Sequence, residues 1–457
     1  MKENNLETEK TQEREQLLSW SMGRLFKKLA IPGMIGMVLI GLCNLMDAVF
    51  VGHLIGKEAI GAVAIVSSVA LLNLGICLLI GSGSMSMLSI AIGKKDQKTI
   101  DKLLGNMIVS ILILSGIFLI IVYLNTEWIV SFIGGEGLVA ELATEYLRVI
   151  SIGMVFSALG PAMNFLIRGE GKIKTAMYFA SGVSILNIIL NPIFISVLGM
   201  GIEGAAVATV ISHIVYVLLN LLFFSKGNGV IVLQRMKLRL EKDILPSIFK
   251  VGSAQLIMMV MATIQQVILF RSLQYHGGSE HVILMGASYR AFMFAYIAIW
   301  GIAQGLQPVI GMNYGAGKIN RVKKAFNTFT LLGLILTSII WVIFMIFPDL
   351  ILGIFITDHD IISTGVPLFR ILTSIFFAYI YFANLSNLFI GLGRGKEPGI
   401  FSILRQIVFF IPLVFVLPMI FGTVGVWIAL PLADFFTMIV AAMYHRKILI
   451  SEEFANS

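Results

Sequence analysis

A chain of 457 residues that is 58% hydrophobic and 13% charged carries too much apolar surface for a water-soluble domain, which runs near about 45–50% apolar and 25% charged. Barrel strands are excluded too, because the apolar runs do not alternate every second residue over about ten positions. The net charge of +8 sits in short loops between those runs, a pattern that belongs to membrane topology rather than to nucleic-acid binding.

In chain order, residues 1–24 mix both charges and lack the apolar core and cleavage site of a signal peptide, so they are expected to form a cytoplasmic tail. Spans are then predicted near 26–52, 59–84, 103–123, 141–166, 175–197, 204–224, 244–275, 282–310, 326–347, 365–390, 399–420 and 424–444. Such lengths, at ~1.5 Å per residue, cross ~30 Å of hydrocarbon. Cys43 and Cys77 both fall inside apolar segments, where packing is the expected role. Loops after even-numbered spans carry Lys94, Lys95, Lys98 and Lys102, then Lys172 and Lys174, then Arg235, Lys237, Arg239 and Lys242, then Lys318, Arg321, Lys323 and Lys324, then Arg394 and Lys396. Loops after odd-numbered spans carry only Lys57. That asymmetry predicts even loops and both termini on the cytoplasmic side of the cell inner membrane.

The two halves repeat at an offset of 222–224 residues: GSGSMSMLSIAIGK (Gly81–Lys94) falls on GLQPVIGMNYGAGK (Gly305–Lys318), and EYLRVIS (Glu145–Ser151) on PLFRILT (Pro367–Thr373). IRGEGK (Ile167–Lys172) likewise falls on GLGRGK (Gly391–Lys396). Two six-span halves enter the membrane in the same sense. The expected fold is therefore an all-α integral membrane protein of twelve transmembrane helices in two six-helix lobes, related by a pseudo-two-fold axis along the membrane normal. The lobes are expected at 25–224 and 244–446, with a cytoplasmic linker at 225–243 and a cytoplasmic C-terminal tail at 447–457.

With IPGMIGMVLIGLCNLMDAVFVG in the first span, the YLR around Tyr146, LNIILNPIFI (Leu186–Ile195), GIEGAAVAT (Gly201–Thr209) and AQGLQPVIGMNYGAGK (Ala303–Lys318), the sequence resembles the multidrug and toxic compound extrusion (MATE) transporters. The resemblance covers nearly the whole chain after the tail, and is closest to the bacterial and archaeal branch whose ion site lies in the N-terminal lobe. It implies antiport driven by sodium or protons, with export of small amphipathic, often cationic compounds and no enzymatic activity. No cofactor is expected beyond the coupling ion, and a monomer in the lipid bilayer is expected as the working form.

Ionisable groups inside hydrocarbon are costly and point to function. Only Asp47 and Asp434 among the acids lie well inside spans. Asp47 shares a helix face with Asn44, as Asn187 does with Asn191 at a spacing of four. Helix rise places Asp47 at ~27 Å, Asn187 and Asn191 at ~18 and ~24 Å, and Thr209 at ~22 Å above the cytoplasmic edge. Pro192 frees the carbonyl of Ile188, adding an oxygen at that level. One carboxylate, two amides and a hydroxyl suit a sodium ion at Asp47, Asn187, Asn191 and Thr209, or equally a proton on Asp47. Interhelical hydrogen bonding alone is the bland alternative. The resemblance carries ion binding onto the same residues, with Asn191 standing where many relatives have Asp; that loss of a charge favours the proton.

Tyr146, Met258, Met261, Gln265, Arg290, Phe292 and Tyr296 are candidates for a substrate cleft, against ordinary core packing. Arg290 and Asp434 are a candidate ion pair, His213 a candidate proton acceptor, and Pro32 and Pro161 candidate hinges. An ATP-driven pump is excluded, since no G-x-x-x-x-G-K-[ST] occurs. A lipid or lipid-linked polysaccharide flippase of the same superfamily is the rival reading, resting on Arg148, Arg271, Arg290, Arg370 and Arg405 within spans.

Overall fold

The computed structural model describes residues 13–227 and 229–450, and places no side chain for residues 44, 45, 47–49, 57 or 448–450. Among the described residues the chain is helical with no strand. After a short helical segment at 13–19, the first half runs α1 (Met22–Leu54), α2 (Lys57–Lys94), α3 (Gln97–Leu124), α4 (Thr126–Ile133), α5 (Gly137–Ile152), α6 (Met154–Gly169), α7 (Ile173–Pro192) and α8 (Gly201–Ser225). The second half begins with a helical stretch, Leu245–Gly315, whose 71 residues would reach ~107 Å if straight, more than three bilayer cores. Gly278, at φ 71° and ψ −169°, breaks it into α9 and α10. Then follow α11 (Ile319–Ile346), α12 (Pro348–Gly353), α13 (His359–Thr373), α14 (Tyr379–Gly391), α15 (Lys396–Ile403), α16 (Ile411–Phe421) and α17 (Thr423–Ile450).

Counting α5 with α6, α13 with α14 and α15 with α16 as single bent or interrupted spans gives twelve crossings. The internal repeat is now visible in element boundaries. α3, α4 and α5 begin at Gln97, Thr126 and Gly137, and α11, α12 and α13 begin 222 residues later at Ile319, Pro348 and His359. Both halves also break their fourth span at the same place. In the first half α5 and α6 meet at 52°, and the freed groups are caught by Asn73, whose Nδ2 donates to the Met154 carbonyl at 2.8 Å and to Ser157 Oγ at 2.9 Å. Ser115 Oγ donates to Asn73 Oδ1 at 2.8 Å, completing the buried set. In the second half Thr337 Oγ1 donates to the Phe377 carbonyl at 2.9 Å and Trp341 Nε1 to that of Ser374 at 3.0 Å. Within hydrocarbon a broken turn persists only where neighbouring groups satisfy its backbone, as these side chains do.

The chain divides into two compact units. The first comprises the segment ending at Trp20 and then Ile35–Gly252; the second comprises Ser21–Met34 and the chain from Ser253 onward. This differs from the expected lobe boundaries at two places: residues 244–252 group with the first unit, and the first third of α1 packs with the second. The α1 difference comes from small-residue packing: Gly301 and Gly305, four apart on α10, lie against the backbone of Gly33 and Ala30, and a Cβ at either glycine would crowd it. Apolar helices in lipid gain their contacts through such close approach. The linker belongs to the first unit. Lys102 Nζ lies 3.0 Å from Asp243 and 3.2 Å from Glu241, Asn106 Oδ1 accepts from the Glu241 N–H at 2.7 Å, and Glu170 Oε1 accepts from the Ile231 N–H at 2.9 Å.

Candidate functional site

The first unit holds a polar ladder within an apolar bundle. Asn187 and Asn191 stand one turn apart on α7, both buried, with Asn191 Nδ2 donating to Asn187 Oδ1 at 3.4 Å. Asn187 Nδ2 donates in turn to Thr209 Oγ1 on α8 at 3.3 Å, and that hydroxyl donates to the Ala205 carbonyl at 3.0 Å. Distances of 3.3–3.4 Å are long for neutral hydrogen bonds. Directly above, Pro192 ends α7 and the chain widens into a π-turn over Ile193–Val197, with the Leu198 N–H donating to the Ile193 carbonyl at 2.9 Å. Single π-turns of this kind recur at functional positions.

The side chains of Asp47 and Asn44 lie outside the described residues, while their backbone is helical within α1. The level of that backbone follows from packing. Gly36 lies against Met177 so closely that a Cβ there would overlap it, and Ile40 packs on the cluster of Ala180, Val183 and Tyr216. α1 and α7 run in the same direction in the expected topology, so carrying this register forward one residue for one residue brings position 47 level with Ile188, between Asn187 and Asn191. Arg148, one of the arginines expected within spans, is engaged at the surface, its Nη2 donating to Glu127 Oε1 at 2.6 Å. The Nδ1 of His213 on α8 is buried with no hydrogen-bond partner among the described residues.

The candidates for a cleft fall in both units. Tyr146 is buried in the hydrophobic core of the first unit with Leu147 and Met154, a packed position with almost no open surface. In the second unit Met258 and Met261 are half-buried and Arg290 is exposed. Gln265 is buried and accepts from Gln406 Nε2. Phe292 stacks with Tyr296 at 6.3 Å and meets Tyr379 edge-on at 5.3 Å. Pro32 lies within α1 two residues before the chain passes from one unit to the other, and Pro161 lies inside α6.

The expected pairing of Arg290 with Asp434 is corrected. Asp434 on α17 pairs with Arg405, whose Nε donates to Oδ1, while the Tyr379 hydroxyl donates to Oδ2. Arg405 wins because it lies in a π-helical stretch, Leu404–Phe410, that joins α15 to α16; the wider turn re-aims side chains that a regular helix would carry elsewhere. Residue composition marked Arg405 as a charge inside a span, but nothing in its spacing chose it over Arg290. Tyr379 was missed altogether, as a tyrosine in an aromatic-rich span carries no signal until its neighbours are known.

Comparison with known proteins agrees with this architecture. The MatE family model matches residues 32–193 and 254–416, one match in each half. The "Multidrug export protein MepA" of Staphylococcus aureus (strain MSSA476) is 26% identical over 426 residues, covering 92% of this chain and 93% of that protein. MepA of Staphylococcus saprophyticus is 26% identical over 424 residues with the same coverage. Among solved structures, a MATE protein in the straight conformation superposes with a TM-score of 0.89 at 26% identity, covering 95% of this chain and 97% of that one. A transporter of the MOP superfamily from Pyrococcus furiosus, described as having a binding pocket of reverse polarity, gives the same score, identity and coverage.

Proposed function

The chain belongs to the MatE family, and on that premise we propose that it is a secondary active antiporter exporting small amphipathic, often cationic organic compounds in exchange for protons. It performs no covalent chemistry on its cargo. It works as a monomer, with no nucleic-acid partner, in the cell inner membrane, with both termini and the basic loops on the cytoplasmic side.

One observation carries the coupling: the buried ladder Asn187–Asn191–Thr209 lies at the level the α1–α7 register assigns to Asp47. In that setting an ionised Asp47 is an electrostatic liability that a proton or a cation relieves. Protonation from outside removes the charge, and the neutral carboxyl joins the ladder as a further hydrogen-bonding group. Deprotonation toward the cytoplasm restores an anion that a cationic substrate neutralises, so proton and substrate compete for one charge and exchange follows. A sodium ion would need oxygens from Asp47, Asn187, Asn191 and Thr209, of which only the first supplies charge; with Asn191 neutral, the proton is the better fit. Pro32, beside the point where α1 changes units, is the hinge through which this charge change alters the helix.

The flippase reading needs several unpaired cations for a diphosphate head. Arg148 and Arg405 are bound to carboxylates while Arg271 and Arg290 are exposed, and the similarity to multidrug export proteins favours the exporter. The test is ethidium efflux from cells carrying Asp47→Asn. Loss of efflux with normal membrane insertion is expected; efflux near the wild-type rate would remove Asp47 from the mechanism.

A further inference from the structure

On the basic-loop side of the second unit, the start of α1 and the flank of α11 enclose a lateral groove of about 600 Å³, within the ~300–1,000 Å³ of small-molecule sites. Its mouth carries Ser21, Arg24 and Lys27, all exposed. The spacing of three puts these polar groups on one face of the helix start. Four residues deeper the same face becomes Ile31, which with Ile335 and Leu336 forms an apolar floor. The edge-on contact of Phe26 with Phe329, ring centres 5.2 Å apart, holds α1 against α11 beside it. Leu331, Ile335 and Ile339 form an exposed row at successive turns of α11, so the groove opens sideways toward hydrocarbon.

A cationic, hydroxyl-bearing mouth at the membrane edge above an apolar trough matches a molecule with an anionic head and an acyl tail. We propose that this groove binds an anionic phospholipid of the leaflet on the basic-loop side, its phosphate against Arg24, Lys27 and Ser21 and a chain along Ile31, Ile335 and Leu336. The bound lipid fastens Ser21–Met34 to α11, and thereby sets how freely α1 bends beside Pro32.

The test uses the full chain in detergent, titrated with phosphatidylglycerol, phosphatidylcholine or inorganic phosphate and read by native mass spectrometry. Phosphatidylglycerol is expected to be retained about 30-fold more tightly than phosphatidylcholine, the ratio two interfacial cations supply. Arg24→Gln with Lys27→Gln should erase that ratio and leave phosphatidylcholine retention unchanged. Leu336→Trp, which fills the trough, should weaken both lipids. If the double variant does not fold, Ser21→Glu replaces it, its carboxylate repelling the phosphate. Equal retention of both lipids by the wild-type chain, a preference that survives these substitutions, or displacement of the lipid by inorganic phosphate would overturn the proposal.

Discussion

Arg405 and Asp434 meet inside an apolar bundle, guanidinium to carboxylate, with the Tyr379 hydroxyl on the second carboxylate oxygen. The Asp434 side chain is 2% exposed and that of Arg405 22%, so each charge depends on the other. Removing one partner of such a pair strands the remaining charge, at about 3–5 kcal/mol. Asp434→Asn should therefore lower the thermal midpoint in detergent sharply, and Arg405→Met with Asp434→Leu should recover most of the loss. Equal destabilisation by the single and double changes would show that the pair is not the unit.

The neutrality of Asn191 makes a second prediction. Asn191→Asp adds a carboxylate one turn from Asn187 and turns the ladder into a stronger cation site. In proteoliposomes the wild-type chain should respond to an imposed pH gradient, and the variant should gain a sodium response. Wild-type transport that follows sodium and ignores the pH gradient would reverse the assignment of the ion.

Topology is open to direct test. Lys98 and Lys323 lie on the basic-loop side, and the exposed Glu280 follows the break at Gly278 on the other. Single cysteines at 98 and 323 should resist impermeant maleimides in intact cells, and one at 280 should react. Labelling at 323 would mean a wrong count of crossings.

The linker strap responds to pH with a defined sign. Its hydrogen bond to Lys102 holds the Asp243 carboxyl below its usual range, and the same bond raises the Lys102 ammonium above its own. The contribution of Asp243 is present above about pH 3.9 and is lost as pH falls through its lowered folded value; that of Lys102 is present below about pH 10.4 and is lost as pH rises through its raised one. Protection of the amides across residues 237–243 from hydrogen exchange, taken relative to the intrinsic rate at each pH, should stay high between these limits and fall outside them. In Lys102→Met it should be low at neutral pH.

Twelve crossings and the duplication were readable from the chain, because hydrocarbon admits only long apolar helices. The element starts repeating at 222 residues follow from that duplicated pattern. The polar ladder was legible too: residues four apart share a face, and helix rise converts residue number into depth, so Asn187, Asn191 and Thr209 could be placed at one level before any contact was known. Azimuth was not legible. Which way a helix turns its side chains depends on the π-turn at Leu404–Phe410 and on packing against neighbours, and so Asp434 found Arg405 and Tyr379 rather than Arg290. The assignment of Ser21–Met34 to the second unit was equally hidden, since Gly301 and Gly305 attract a backbone only when the fold brings Ala30 and Gly33 against them. Sequence sets depth and periodicity along each helix; contact between helices is a property of the assembled bundle, where small residues and widened turns decide who meets whom.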